Sequence, residues 1–429
     1  MDVDKGGNAW VGTVIDGFYI IDMHNFSVTR TLDIPLLSGN TVRNGIQSIY
    51  CDRENNSVWI GLYNQGMCYY HPSMNKIVLY NKKMINGDWK GEEIRCMLET
   101  SKGEILMGTT QGVYRYEPET KSMNRFYHEF SQKNCRVLYE DSKKRVWVGT
   151  YHDGLYCIDH GKVQSYDYPD TDYQNELDFS NIRVMVEDSS GRLWVSIYGG
   201  VGLFNPENGQ INLLSEQFPE LKKYKVANAL AIDNQSRLVV GSDNGLYIYD
   251  PATNKIWIPE EDGQANSIFN QGSIKYNQIL KDHEGTLWFA TQYGLSVLTY
   301  NGQSYTLGKE EGLSKAILNV VEDKNHDIWI STVTSIYKIK VDRRADKYSF
   351  HVISCLSEDE IRQDDLYSFP SLMTRDNQLF LGLMNGFIAF SPENMIDNQC
   401  LNRPLFTSFR LFNVPVVSGE TYNGRVLFD

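Results

Sequence analysis

The chain has 429 residues, 41% apolar and 22% charged, enough to build packed cores and far from a disordered composition. Lys plus Arg number 41 against 54 Asp plus Glu, a formal charge of −13, which disfavours phosphate backbones and anionic lipid surfaces as partners. No stretch approaches the ~18 apolar residues that cross a bilayer, and the start, MDVDKGGNAW, has no basic segment leading into an apolar run, so no signal peptide is expected in it.

One phrase recurs along the chain: an aromatic or aliphatic pair, a small residue, a turn, and a second apolar run. In order it reads WVGTVIDGFYIID at Trp10, WIGLYNQGMCYYHP at Trp59, LMGTTQGVYRYEP at Leu106 and WVGTYHDGLYCID at Trp147. It continues as WVSIYGGVGLFNP at Trp194, VVGSDNGLYIYDP at Val239, WFATQYGLSVL at Trp288, WISTVTSIYKI at Trp329 and FLGLMNGFIAFSP at Phe380. Neighbouring anchors lie 41 to 51 residues apart. Each phrase is preceded by a strand pattern ending in a turn such as Asp188-Ser-Ser-Gly, where Asp can bond its own downstream amides and Gly accepts positive φ. A weaker fourth strand follows, such as KIVLYN after Met74 or KIWIP after Asn254. No segment carries a 3.6-residue apolar stripe over a helix's length. Four short antiparallel strands in each repeat predict an all-β chain of β-propeller blades.

Counting back seven anchors from Phe380 reaches Leu106 and puts a boundary near residues 81 to 92. The expected division is therefore residues 1–84 as the last blades of a preceding propeller, 85–397 as a seven-bladed propeller, and 398–429 as the start of a further, truncated domain. A strand opening at Gly45 would instead give the second propeller eight repeats. A chain cut to about 85–397 is expected to behave at least as well as the whole. The seven cysteines form no CxxC pair and are expected as buried small apolar residues.

The catalytic motifs of nucleotide-binding loops, serine-hydrolase elbows, HExxH metalloproteases and EF-hands are all missing from the sequence. The eight histidines are isolated in the sequence, so neither metal nor cofactor is expected. Paired acids such as Glu140-Asp141, Glu187-Asp188 and Glu322-Asp323 recur at one repeat position, where the Asp serves the turn. Chemistry is expected instead where the strand turns and the starts of the innermost strands meet, around the central opening. Tyr63, Tyr151 and Tyr198 stand four residues past their Trp, Asp243 takes the equivalent place, and Tyr293 lies one further on. A ring and a hydroxyl suit the apolar face and hydroxyls of a sugar. Gln47, Arg95, Arg136, Arg183, Asn228 and Asn277 lie five residues before each inner-strand turn, and Met97, Leu138, Met185, Leu230 and Ile279, two further along, are apolar. That ring of guanidinium and amide groups suits a uronate or sulfate, or else fastens neighbouring blades. The long connections Asn81 to Gly91, Asp167 to Phe179, Glu260 to Gly272 and Glu358 to Phe369 complete the face, with Trp89 in the first as a cap for a ligand.

The pattern D-x-x-G-x-[LI]-W-[IV]-G-T-x-x-G-[LI]-x-x-[FY]-[DN]-P, matched best at Trp59, Trp147, Trp194 and Val239, resembles the two-component regulator propeller repeat. The resemblance covers about residues 1 to 395, and RPLFTSFRLFNVPVVSGETYNGRVLFD is similar to the start of the immunoglobulin-like Y_Y_Y domain that follows such propellers. It implies the periplasmic sensor region of a hybrid two-component histidine kinase. Such a region binds an oligosaccharide, acidic ones included, and dimerises in its parent receptor. It meets the membrane only through downstream segments and has no nucleic-acid role of its own. The same family usually carries fourteen repeats, so the chain reads as a piece of such a receptor. Two other readings stay open: a scaffold for protein partners, and a propeller lyase or hydrolase using His152, Tyr151 and Asp153.

Overall fold

A computed structural model of the chain describes residues 1–14, 18–31, 45–53, 57–63, 66–70, 78–168, 177–259, 274–313, 315–344, 347–356 and 370–395. Beyond these it describes 409–411, 414–416, 421–422 and 425–426. The chain divides into two compact units, Met1–Ile396 and Asp397–Asp429. In the second, Phe409–Leu411 pairs with Val414–Val416 and Thr421–Tyr422 with Arg425–Val426. No helix among the described residues is long and apolar enough to cross a membrane.

The first unit is a succession of small, mainly antiparallel sheets, most of them made of consecutive strands, as the repeats predict. Asp2–Val3, Asn8–Gly12, Phe18–Asp22 and Val28–Thr31 form the first, and Ile46–Asp52, Ser57–Leu62 and Gly66–Tyr70 the second. From Ile94 on, seven further sheets follow among the described residues, with inner strands Ile94–Glu99, Cys135–Glu140, Asp178–Glu187, Ala227–Ile232, Tyr276–Lys281, Asn319–Glu322 and Ser371–Met373. Each inner strand lies beside the next, and Ser371–Met373 lies beside Ile94–Glu99, so this succession closes on itself.

The closing sheet takes its outermost strand from far upstream. Val78–Asn81 pairs antiparallel with Gly386–Phe390, with Asn81 opposite Gly386 and Val78 opposite Ala389. The cut between residues 84 and 85 expected from the repeat spacing therefore separates this strand from the sheet it completes. The spacing could not show it, because a strand borrowed across three hundred residues leaves no local trace. Asn86–Gly87 also joins the ring, running parallel to Ser122–Arg125.

The repeated phrase has a physical reading at each position. The Trp is core: Trp147, Trp194, Trp288 and Trp329 are at most 2% exposed, each between its own sheet and the next. Trp59, in the second sheet, is 41% exposed, and Tyr50 and Met67 of that sheet are exposed too. The small residue two after the Trp lets the next inner strand approach. A Cβ on Gly149 would stand 2.5 Å from the Val137 Cγ1 and 2.6 Å from the Ile182 Cγ2. Gly149→Ala is accordingly expected to cost about 1–3 kcal/mol by overpacking; an unchanged denaturation midpoint would show that the strands can part without penalty. The following Thr closes the hairpin, as Thr150 Oγ1 donates to the Gly154 carbonyl at 2.8 Å. Gly154 is required there: its φ is +79°, and a Cβ would meet the Tyr166 carbonyl at 2.5 Å.

The paired acids divide their labour. The Asp of each turn gathers the amides of its own loop and the Trp indole: Asp141 to Trp147, Asp188 to Trp194, Asp282 to Trp288 and Asp323 to Trp329, all at 2.8–3.0 Å. The preceding Glu reaches the neighbouring sheet. Glu140 accepts from the Ser101 amide and hydroxyl, and Glu187 from those of Ser142. Glu99 takes the Arg375 amide at 2.8 Å, extending the same latch across the closure. The described cysteines Cys51, Cys96, Cys135, Cys157 and Cys355 are buried, as expected.

Candidate functional site

Six of the described inner strands carry an irregular pairing near their start, those of Gln47 and Asn277 included, whereas Asn319–Glu322 and Ser371–Met373 pair regularly. Register shifts fall between Ile94 and Cys96, Cys135 and Val137, Ile182 and Val184, and Ala227 and Ala229. The residue skipped in each case is Arg95, Arg136, Arg183 and Asn228. A bulge re-aims the side chain that it leaves unpaired, so these four share a backbone device as well as a sequence position, and Gln47 and Asn277 share it with them.

Three guanidinium groups gather here. Burial, reinforced by the nearby charges of Arg183 and Arg95, pushes the Arg136 guanidinium down to about 10. Arg183 is likewise lowered by burial, against the opposing influence of Asp243, Tyr151 and Tyr198 beside it. The Nε atoms of Arg95, Arg136 and Arg183 are all shielded from solvent, with no hydrogen-bond partner among the described residues. Neutralisation is sparse. Arg95 meets Glu93 at 2.9 Å, Arg183 donates to Asn228 Oδ1 at 3.1 Å, and Arg136 lies over the Tyr151 ring, 4.4 Å from its centroid. Asn228 Nδ2 passes the chain on to Asp243 at 2.7 Å and to the Tyr276 carbonyl at 3.3 Å, and Lys275 Nζ reaches Asp243 at 3.2 Å.

The expected residues thus fall into two groups. Arg95, Arg136, Arg183, Asn228, Tyr151 and Tyr198 share one neighbourhood, and Glu93, Asp243 and Lys275 belong with them. Glu93 and Lys275 escape notice in the sequence because they lie before the inner strand, where no repeat signal marks them. Asn277 serves the fold, donating to the Ile317 carbonyl at 2.7 Å and so fastening the next sheet. Tyr293 is exposed, with its amide bonded to Thr291 Oγ1 at 3.2 Å, and no described contact ties it to the arginines. Trp89 corrects its expectation. It is fully buried with Ile85, Ile94, Tyr114 and Phe387, and its indole donates to the Glu92 carbonyl at 3.1 Å, so it packs a sheet rather than capping a ligand.

Tyr63 and Gln47 belong to the second sheet, and Tyr63 is exposed. His152 is partnered by Asp178 at 2.9 Å rather than by its neighbour Asp153, which pairs with Lys133 at 3.1 Å. The His152 ring lies 3.8 Å from that of Tyr151. Of the long connections, only Asn81 to Gly91 is described throughout. Glu260 to Gly272 and Glu358 to Phe369 lie outside the described residues, as does Asp167 to Phe179 between 169 and 176.

No family model matches the sequence, and no curated protein matches it. Solved structures do resemble the fold. The extracellular domain assigned to the hybrid two-component system BT3049 of B. thetaiotaomicron superposes with a TM-score of 0.66 at 19% identity, over 92% of this chain and 52% of that one. The extracellular domain assigned to the hybrid two-component system BT4673 of the same organism gives 0.58 at 19%, over 91% and 51%. A streptogramin B lyase gives 0.54 at 12%, over 75% of this chain and 99% of its own. The chain spans about half the length of the two extracellular domains. These likenesses establish a β-propeller.

Proposed function

We propose that the chain is the ligand-binding propeller region of an extracytoplasmic sensor of the hybrid two-component type, and that the bulged arginines take an acidic oligosaccharide. The strand Val78–Asn81 belongs to the binding propeller on this reading, residues before it to a preceding one, and Asp397–Asp429 to the start of a Y_Y_Y domain. The parent receptor sits in the periplasm, dimerises and connects to the membrane through segments downstream. What carries the reading is the gathering of Arg95, Arg136 and Arg183 with one carboxylate, Glu93, in an ion pair with them among the described residues. Like charges held this close while partly desolvated repel one another, and a carboxylate or sulfate would relieve that repulsion. Tyr151 and Tyr198 beside them supply the flat faces on which a sugar ring stacks. The likeness to the two extracellular domains agrees with a sensor role.

The test is calorimetric titration of the full chain with sulfated, uronic and neutral oligosaccharides of matched length. Acidic ligands are expected to bind, with Arg136→Gln and Arg183→Gln each weakening them by about 10- to 100-fold, the loss of one or two charge-assisted hydrogen bonds. Neutral sugars binding as well as acidic ones, with the arginine variants unaffected, would overturn the assignment.

A second reading follows from the His152–Asp178 pair against Tyr151 and the arginines, a base and a charge-neutralising group of the kind a uronate lyase needs. Ultraviolet absorbance growing during incubation with a polyuronate would favour it, and unchanged substrate would remove it.

A further inference from the structure

Histidines scattered in the sequence come together at the other end of the inner strands, away from the arginines. His283 follows the turn carboxylate Asp282, Glu322 ends the strand Asn319–Glu322, and His326 occupies the next turn with φ of +64°. One Glu322 oxygen, Oε1, faces both imidazoles. It makes a very short contact with the His283 Nδ1 and lies 3.0 Å from the His326 Nδ1. The rings stack with centroids 3.5 Å apart and an angle of 22°. Glu322 Oε2 is held separately by the His283 amide at 2.9 Å, so the carboxylate cannot turn away.

The geometry points to a zinc site that bridges two neighbouring sheets. The three ligand atoms, two Nδ1 and one Oε1, lie within 4.8 Å of one another. A tetrahedral zinc with bonds of about 2.0–2.2 Å needs its ligands roughly 3.3 Å apart. The His326 contact reaches that spacing by opening a few tenths of an ångström, while the His283 contact must open further and the stacked rings must splay so that both Nδ1 lone pairs point at the metal that replaces their protons. Two imidazoles and a carboxylate are a borderline donor set, suited to zinc rather than to magnesium or calcium. Both imidazoles are partly exposed, so a water is the natural fourth ligand.

A second observation supports ligation through Nδ1. The far nitrogen of His283, Nε2, faces Glu284 Oε1 at 4.0 Å. That carboxylate is itself oriented by the Tyr348 hydroxyl at 2.9 Å and by Arg343 at 3.2 Å. A carboxylate hydrogen-bonded behind a metal-bound imidazole fixes its tautomer and raises its basicity, and Glu284 takes that role when the reoriented ring closes the 4.0 Å gap. The position also departs from its repeat equivalents. Ser101 and Ser142 meet the corresponding glutamates with a hydroxyl, whereas His283 brings an imidazole, and the neighbouring turn adds another.

The experiment uses the full chain stripped with a chelator and titrated with zinc alone, without any sugar. One zinc per chain is expected, with a rise of several degrees in the melting temperature as the two sheets are stapled. His283→Ala and His326→Ala are each expected to weaken zinc at least 100-fold and to abolish the shift, and Glu284→Gln to weaken it about 10-fold. Both histidines are partly exposed, so the variants should fold, and circular dichroism of the metal-free chains checks this. Cobalt(II) bound to the wild-type chain is expected to show visible absorption of a tetrahedral site, a readout that needs no variant. Zinc absent at stoichiometric level, or retained undiminished by the double variant, would overturn the site and leave the cluster as a hydrogen-bonded latch. Neither outcome touches the arginine reading, which concerns the opposite ends of the strands.

Discussion

A chain beginning at residue 85 is expected to unfold at a clearly lower denaturant midpoint than one beginning at residue 76, by roughly 3–5 kcal/mol. Val78–Asn81 is the outer strand of the last sheet of the closed succession, and its pairing with Gly386–Phe390 adds a covalently anchored link to the closure that Ser371–Met373 and Arg375 make with the sheet of Ile94–Glu99. Tyr80 stacks on Phe387, centroids 4.9 Å apart at 13°, and meets Tyr116 edge-on at 6.2 Å. Phe387 is fully buried beneath it, in a cluster shared with Tyr114, Met107 and Trp89 of the neighbouring sheet. Loss of the strand uncovers this cluster and exposes an unpaired edge, which costs stability and invites aggregation. In the full chain, Tyr80→Ala tests the same closure without changing the ends, with an expected loss of about 2–3 kcal/mol since the ring is only partly buried. Equal midpoints for the two shortened chains would mean that the sheets hold together without the borrowed strand.

That strand marks where the sequence stops speaking. Repeats of the Trp-x-Gly-Thr kind are legible because each position answers a local demand: burial for the indole, close approach of the next strand over Gly149, a turn closed by Thr150. The same logic places the turn acids, and Asp141, Asp188, Asp282 and Asp323 all take their indole partners. Their glutamate neighbours are less transparent, because the hydrogen bonds they accept come from a different sheet. Closure by Val78–Asn81 is more remote still. Pairing across 300 residues depends on ring geometry, which no window of sequence contains.

The candidate site divides along the same line. Polar residues at a fixed distance before the turn are visible as a column, and all six, from Gln47 to Asn277, prove to be the bulged residues of their strands. Which column members face a ligand and which fasten the scaffold is not a property of the column. Asn277 finds the Ile317 carbonyl just before the next inner strand and Arg183 finds Asn228, because the connection after each strand differs. Trp89 shows the opposite failure: a tryptophan outside the strand pattern suggests exposure, yet the segment folds back so that its indole enters the core. His283 and His326, 43 positions apart with Glu322 between them in the chain, meet only because consecutive turns stack at the ends of neighbouring sheets.

The turn acids also carry the second large effect. Asp188→Asn is expected to destabilise the chain by about 2–4 kcal/mol at neutral pH. Asp188 Oδ1 accepts from the amides of Ser190 and Arg192 at 2.9 and 3.1 Å, while Oδ2 accepts from Arg192 Nε at 2.7 Å and the Trp194 indole at 2.9 Å. An amide nitrogen in place of Oδ2 would point its hydrogens at two donors, one of them a buried indole, and each unmatched donor costs about 1–3 kcal/mol. Burial alone would raise the Asp188 carboxyl, but the hydrogen bonds from Trp194, Arg192 and Ser190 outweigh it and hold it below the usual range. A carboxyl lowered on folding contributes stability above its unfolded value of about 3.9, and that contribution drains away as pH falls through the lower, folded value. The penalty of Asp188→Asn, measured by denaturant unfolding across pH, should therefore be greatest near neutrality and shrink in acid, where the wild-type side chain is itself protonated. Asp4, in the turn of the first sheet, is lowered too, with burial opposed by bonds from Trp10 and Asn8, so the first sheet and the sheet of Asp188 should both lose stability in the same acid range. A penalty independent of pH would mean that the loop geometry, rather than the charge, is what the indole requires.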